Sequence, residues 1–92
     1  MYADKAFELA QLKKTEILED VAKTEEFKTN VSSIDFKILS FCELGDLSCF
    51  FDVDNESQDM IDALIYYYRC RGYKVSIIID EKKYILIKWD KY

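Results

Sequence analysis

Over residues 3–26 the apolar positions Ala3, Ala6, Phe7, Ala10, Ile17, Leu18, Val21 and Ala22 share one helical face, and neither Gly nor Pro interrupts them. That spacing predicts an amphipathic α-helix. At a rise of ~1.5 Å per residue it would be roughly 36 Å long, against about 24 Å for a seven-residue strand. Roughly 12 Å of helix is therefore expected to project past its sheet. Written as heptads, Ala3, Ala10 and Ile17 alternate with Phe7, Lys14 and Val21, a poor coiled-coil seam because Ala and Lys fill positions that want larger apolar groups. The pattern fits a helix that packs on its own sheet by its C-terminal half and on a partner by its N-terminal half. It fits equally a helix docked along its full length or broken near the polar run Lys13 to Glu16.

After the polar link "KTNVSS" the period changes to two. Ile34, Phe36 and Ile38 point one way and Asp35 and Lys37 the other, which predicts a strand over 34–42. "ELGD" reads as its turn, and the return strand over 47–53 places Leu47, Cys49, Phe51 and Val53 on one face. Asn55 then stands as an N-cap with Gln58 three residues on, and Glu56 and Asp59 put negative charge at the positive end of a helix dipole. Ile61, Leu64, Ile65 and Tyr68 follow at i, i+3, i+4 and i+7, predicting a helix over 56–71. Gly72 occupies the C′ position of a Schellman cap, in which Tyr73 touches Tyr68. A closing hairpin follows over 73–80 and 84–89. Its alternation places Tyr73, Val75, Ile77 and Ile79 beside Ile85, Ile87 and Trp89.

The expected fold class is α+β, in the order α-β-β-α-β-β: a four-stranded, mainly antiparallel sheet with both helices on one face. Ile78, Tyr84 and Leu86 then form an apolar patch on the opposite face.

Composition narrows the chemistry. Ninety-two residues, half of them apolar, suit one domain over 1–92 with a single modest core. Its apolar runs fall far short of the roughly 18 residues of a membrane span, and no export signal follows Met1, so a soluble, non-secreted chain is expected. Cys42, Cys49 and Cys70 are odd in number and lack C-x-x-C spacing, which fits reduced thiols better than disulfides or zinc. The absence of histidine removes the commonest general base and every Ser-His or Cys-His pair. With no Gly-rich phosphate loop either, a non-enzymatic protein without cofactor or metal is expected.

The net charge of -5 is unevenly spread. Residues 38–68 carry seven acids and no base, and 69–92 carry seven bases against three acids, a layout suited to protein contacts. "DVDNESQD" opens like a calcium loop with Asp52 and Asp54, but Ser57 replaces the required Gly and Ala63 the bidentate Glu. Its acids, with Asp59, read as helix-capping and solubilising groups or as mimics of phosphate. "YYYRCRGYK" holds the rings and guanidinium groups of a single-strand binder. Helical geometry separates them: Tyr68 faces the core, Tyr67 the flank, and Tyr66 alone the outer face. Tyr66, Arg69, Arg71 and Lys74 remain as a small basic edge, a protein contact rather than a nucleic-acid platform.

"GDLSCFFDVDNESQDMIDALIYYYRCRGYKVSII" followed by "KYILIKW" resembles a group of small proteins common in tailed bacteriophages. That group has an amphipathic N-terminal helix, a helix ending in a G-Y-x-V turn and a closing I-x-W strand, matched here by Gly72, Tyr73, Val75, Ile87 and Trp89. The group is largely of uncharacterised function. The resemblance implies a phage origin and a place in the host cytoplasm or the virion. The expected role is protein–protein interaction or assembly, with a homo-oligomer or a phage or host protein as partner, through Phe7 and Ala10 of the first helix or through Ile78, Tyr84 and Leu86. The alternative is an acidic inhibitor of a host enzyme acting through Asp52, Asp54 and Asp59.

Overall fold

A computed structural model describes residues 2–90. Among them are three helices, α1 (Ala3–Ala22), α2 (Glu25–Glu43) and α3 (Gln58–Cys70), and three strands, β1 (Ser48–Asp52), β2 (Lys74–Ile79) and β3 (Lys83–Lys88). The strands form one antiparallel sheet in the order β1-β3-β2. The fold is α+β, but with three strands and three helices in place of the expected four and two.

The difference lies in residues 24–44. Helix α1 ends at Ala22 rather than continuing to residue 26, because Thr24 takes an extended backbone, φ -76° and ψ 150°. Its hydroxyl donates to the Val21 carbonyl at 2.7 Å and accepts from the Phe27 N–H at 3.1 Å. One side chain thereby closes the first helix and caps the second, whose first turn carries Glu25 and Glu26 at the positive end of the dipole. The expected strand over 34–42 is the C-terminal half of α2. Phe27, Ile34 and Ile38 are buried and Val31 and Phe41 partly so, at i, i+4, i+7, i+11 and i+14. Phe36, taken as an inward strand residue, is 72% exposed. The alternation of Ile34, Phe36 and Ile38 is thus a short sample of a longer helical stripe. Gly45, expected in a hairpin turn, is the C′ residue of α2: it has φ 82°, with Gly45 N–H bonded to Cys42 and Asp46 N–H to Phe41.

The other elements shift at their ends. β1 is shorter than 47–53. Helix α3 starts two residues later than expected and is capped by Ser57, whose hydroxyl accepts from Met60 N–H at 3.2 Å, rather than by Asn55. At its far end Gly72 has φ 91°, the Tyr73 N–H bonds the Tyr68 carbonyl, and the two rings meet edge to face at 5.6 Å. The β2–β3 hairpin turns at Asp80, Glu81 and Lys82, one residue earlier than expected, with Ile79 opposite Lys83. The pairing moves by two positions, so every side chain keeps its face.

Helices α2 and α3 cover one face of the sheet, α2 over β1 and α3 over β2. Ile34, Ile61, Leu64, Tyr68, Val53, Ile85 and Ile87 fill the space between the layers. Burying each such Ile or Leu contributes roughly 1.5–3 kcal/mol relative to exposure. Helix α1 packs on α3, not on the sheet as expected, and touches the core through Leu18, Val21 and Ala22.

Candidate interaction surfaces

Lys14 links α1 to α3. Its ammonium group pairs with Asp62, which also accepts from Gln58 Nε2 at 2.9 Å. Burial pushes the Asp62 carboxyl up, but the bonds from Lys14 and Gln58 and the ammonium charge outweigh this and hold it below its ordinary value. Leu18 then lies by Tyr66, and Ala22 by Tyr67 and Cys70, so the two helices run in the same direction. Since α3 begins only one turn before Asp62, residues 2–9 reach about 10 Å beyond its first turn. There Tyr2 is 88% and Phe7 65% exposed, and Ala10, level with the start of α3, is exposed as well. Phe7 and Ala10 continue the stripe that packs Leu18 and Val21 against the core, but Phe7 lies beyond the start of α3 and Ala10 level with it.

The outer sheet face is the second surface. Ser48, Lys88 and Lys74 form its first row, Phe50, Leu86 and Ser76 the next, and Asp52, Tyr84 and Ile78 the third. Phe50 meets Tyr84 edge to face at 6.5 Å, and with Ile78 and Asp80 they line a depression of about 410 Å³. The structure therefore brings Ile78, Tyr84 and Leu86 together and adds Phe50, 49% exposed. The alternation of β1 carried the signal for Phe50, since an inward Cys49 and Phe51 leave it outward.

Asp52 and Asp54 of the acidic segment are engaged within the chain. Asp52 accepts from Asp54 N–H at 2.9 Å, and Asp54 accepts from Lys83 N–H at 3.2 Å, so both carboxylates finish the β1–β3 ladder. Lys82 stands 4.0 Å from Asp52. Asp59 lies exposed in the first turn of α3. Among the described residues no cluster of His, Cys, Asp or Glu has the geometry of a metal site.

The basic edge is engaged likewise. Arg69 donates from Nε and one terminal nitrogen to the Val75 carbonyl, at 3.2 and 2.7 Å. Arg71 stacks on the Tyr67 ring, 3.5 Å from its centroid. Lys74 lies 3.8 Å from Asp90. Tyr66 is 55% exposed beside α1, and Arg69, Arg71 and Lys74 are exposed as well. The tyrosine run belongs instead to a chain of edge-to-face contacts from Phe27 through Tyr67, Tyr68 and Tyr73 to Trp89. Tyr68 is fully buried, and its hydroxyl donates to Asp35 Oδ1 at 2.7 Å with the Val31 carbonyl at 3.2 Å. Burial first, then the Asp35 bond and charge, push its pKa far above the ordinary value. Of the cysteines only Cys49 fills space. Its burial pushes the thiol pKa up, and Cys42 and Cys70 are exposed.

No protein-family model matches the chain, and neither a curated protein nor a solved structure matches it.

Proposed function

We propose that this chain is a non-enzymatic interaction protein, of the phage type its resemblance implies, which assembles with further copies of itself through the N-terminal half of α1. The observation that carries the reading is the interrupted stripe of that helix: Leu18, Val21 and Ala22 pack against the core, while Phe7 is exposed beyond the start of α3 and Ala10 is exposed level with it. Apolar surface presented on a projecting helix gains stability when a second such helix covers it. The patch of Phe50, Ile78, Tyr84 and Leu86 offers a further contact on the opposite side of the molecule.

Inhibition of a host enzyme by carboxylates that imitate phosphates is less well supported, because Asp52 and Asp54 already accept backbone hydrogen bonds. Single-strand binding meets a similar objection, since Arg69 is held by the Val75 carbonyl, Arg71 by the Tyr67 ring and Lys74 lies 3.8 Å from Asp90.

Light scattering after size exclusion tests the reading. The full chain is expected to elute as an oligomer whose mass rises with concentration, and deletion of residues 1–14 to return it to a monomer. A monomer at high concentration, unchanged by that deletion, would sink the proposal.

A further inference from the structure

Strand β2 lies at an edge of the sheet, bonded to β3 on one side only. The phase of that ladder follows from the hairpin, where Asp80 N–H donates to the Lys82 carbonyl at 3.0 Å. In an antiparallel pair, residues that bond their neighbour alternate with residues whose backbone groups point away. Lys74, Ser76 and Ile78 are in phase with Asp80 and bond to β3. Val75, Ile77 and Ile79 therefore turn N–H and C=O outward. Arg69 fits this phase, because it reaches the outward Val75 carbonyl.

Arg69 closes the edge at Val75 and leaves it open beyond. The outward N–H and C=O groups of Ile77 and Ile79 have no partner among the described residues. The side chains are open at the same two residues, Ile77 at 39% and Ile79 at 69% exposure, although they lie on the face that packs the helices. Beside Ile77 runs a groove of about 310 Å³ bounded by Lys14 and Leu18 of α1 and by Asp62, Ile65 and Tyr66 of α3. An open, apolar edge strand is a template for another chain, and most proteins blunt such edges with charge, Pro or a covering element.

We propose that residues 77–79 form a strand-addition site for an extended segment of a partner protein. The unpaired backbone groups specify an extended main chain as the ligand. Its alternate side chains toward the groove are apolar, to cover Ile77 and Ile79. On the outer face Asp80, which has no ion-pair partner among the described residues, takes a Lys or Arg from the segment. A single strand fits better than a second copy. Pairing β2 with β2 about a two-fold axis would bring the second copy's α3 to the side where α1 borders the groove. This site goes beyond the helix-mediated assembly proposed above, and amide protection tests it independently of the oligomeric mass.

The test is amide hydrogen exchange, read residue by residue by NMR. The probe is a synthetic eight-residue peptide alternating valine with threonine and carrying one lysine. In the free chain the amides of Ser76 and Ile78 are expected to be protected and those of Ile77 and Ile79 to exchange fast. Peptide should slow Ile77 and Ile79 at least tenfold, and the same peptide N-methylated at alternate residues should not. Ile79→Pro removes an outward N–H without touching the ladder, so it should weaken peptide binding at least tenfold. Fast exchange at Ile77 and Ile79 under saturating peptide overturns the proposal. So does concentration-dependent protection without peptide, which would make a second copy the occupant. Both readings come from the unmutated chain and stand even if the Pro variant fails to fold.

Discussion

Tyr68 does more than fill the core. Its hydroxyl links α3 to Asp35 of α2, and its folded pKa lies above the unfolded value of about 10. Its contribution to stability is therefore complete below pH 10 and is lost as the pH rises beyond, where the unfolded chain can ionise and the folded one resists. Tyr68→Phe should cost about 1 kcal/mol at neutral pH. It should also flatten the alkaline fall in the urea midpoint. An equal alkaline fall in both proteins would assign it to other groups. Gly45 and Gly72 are a second residue-level case. A Cβ at either would meet no atom within 4 Å, so their requirement is conformational: φ of 82° and 91° at two helix ends. Gly72→Ala should lose about 1 kcal/mol, and Gly72→Asn less, because Asn tolerates the left-handed region. A neutral Gly72→Ala in urea unfolding would mean that the cap does not hold that backbone.

Among the elements, α1 is the least committed. No residue of it is buried, and its hold on α3 rests on Leu18, Val21, Ala22 and the Lys14–Asp62 pair. The Asp62 carboxyl is held below its unfolded value, so the pair stabilises docking above the ordinary carboxylate range and loses that effect as pH falls through the folded value. The backbone NMR signals of 10–22 should therefore shift together on acidification, with a midpoint below ~3.9. Asp62→Asn should abolish that transition. Signals of α1 that titrate identically in the variant would show that another group controls docking. Helix α2 shows the opposite balance. Its stripe of Phe27, Val31, Ile34, Ile38 and Phe41 holds it to the sheet, and Asp35 ties it to Tyr68.

Taken whole, the molecule is elongated, 53 Å by 32 Å by 27 Å, with sheet, helix pair and α1 set in layers. Its net charge of -5 opposes self-association, so the proposed assembly must draw on apolar contact. Oligomers held through Phe7 and Ala10 should accordingly persist or strengthen at 0.5 M salt, on the order of the range where surface charge pairs are screened. Dissociation on adding salt would point instead to the acidic and basic segments.

The local chain determined a good deal by itself: the amphipathic first helix, the α3 face from Ile61 to Tyr68, the Gly72–Tyr73 cap and the two faces of the closing hairpin. These rest on spacings within a few residues and on glycines that a left-handed turn requires. Thr24 followed by two glutamates was a legible helix start, and a window from Phe27 to Phe41 would have shown the longer period. The alternation from Ile34 to Ile38 hid both, because five alternating residues fit either period. Only the tertiary structure decided that Arg69, Arg71, Asp52 and Asp54 serve the fold and that Phe7 lacks a cover. It also decided that Ile77 and Ile79 stand open at an edge. Those outcomes depend on which distant groups come within hydrogen-bonding distance, and spacing along one chain carries no information about that.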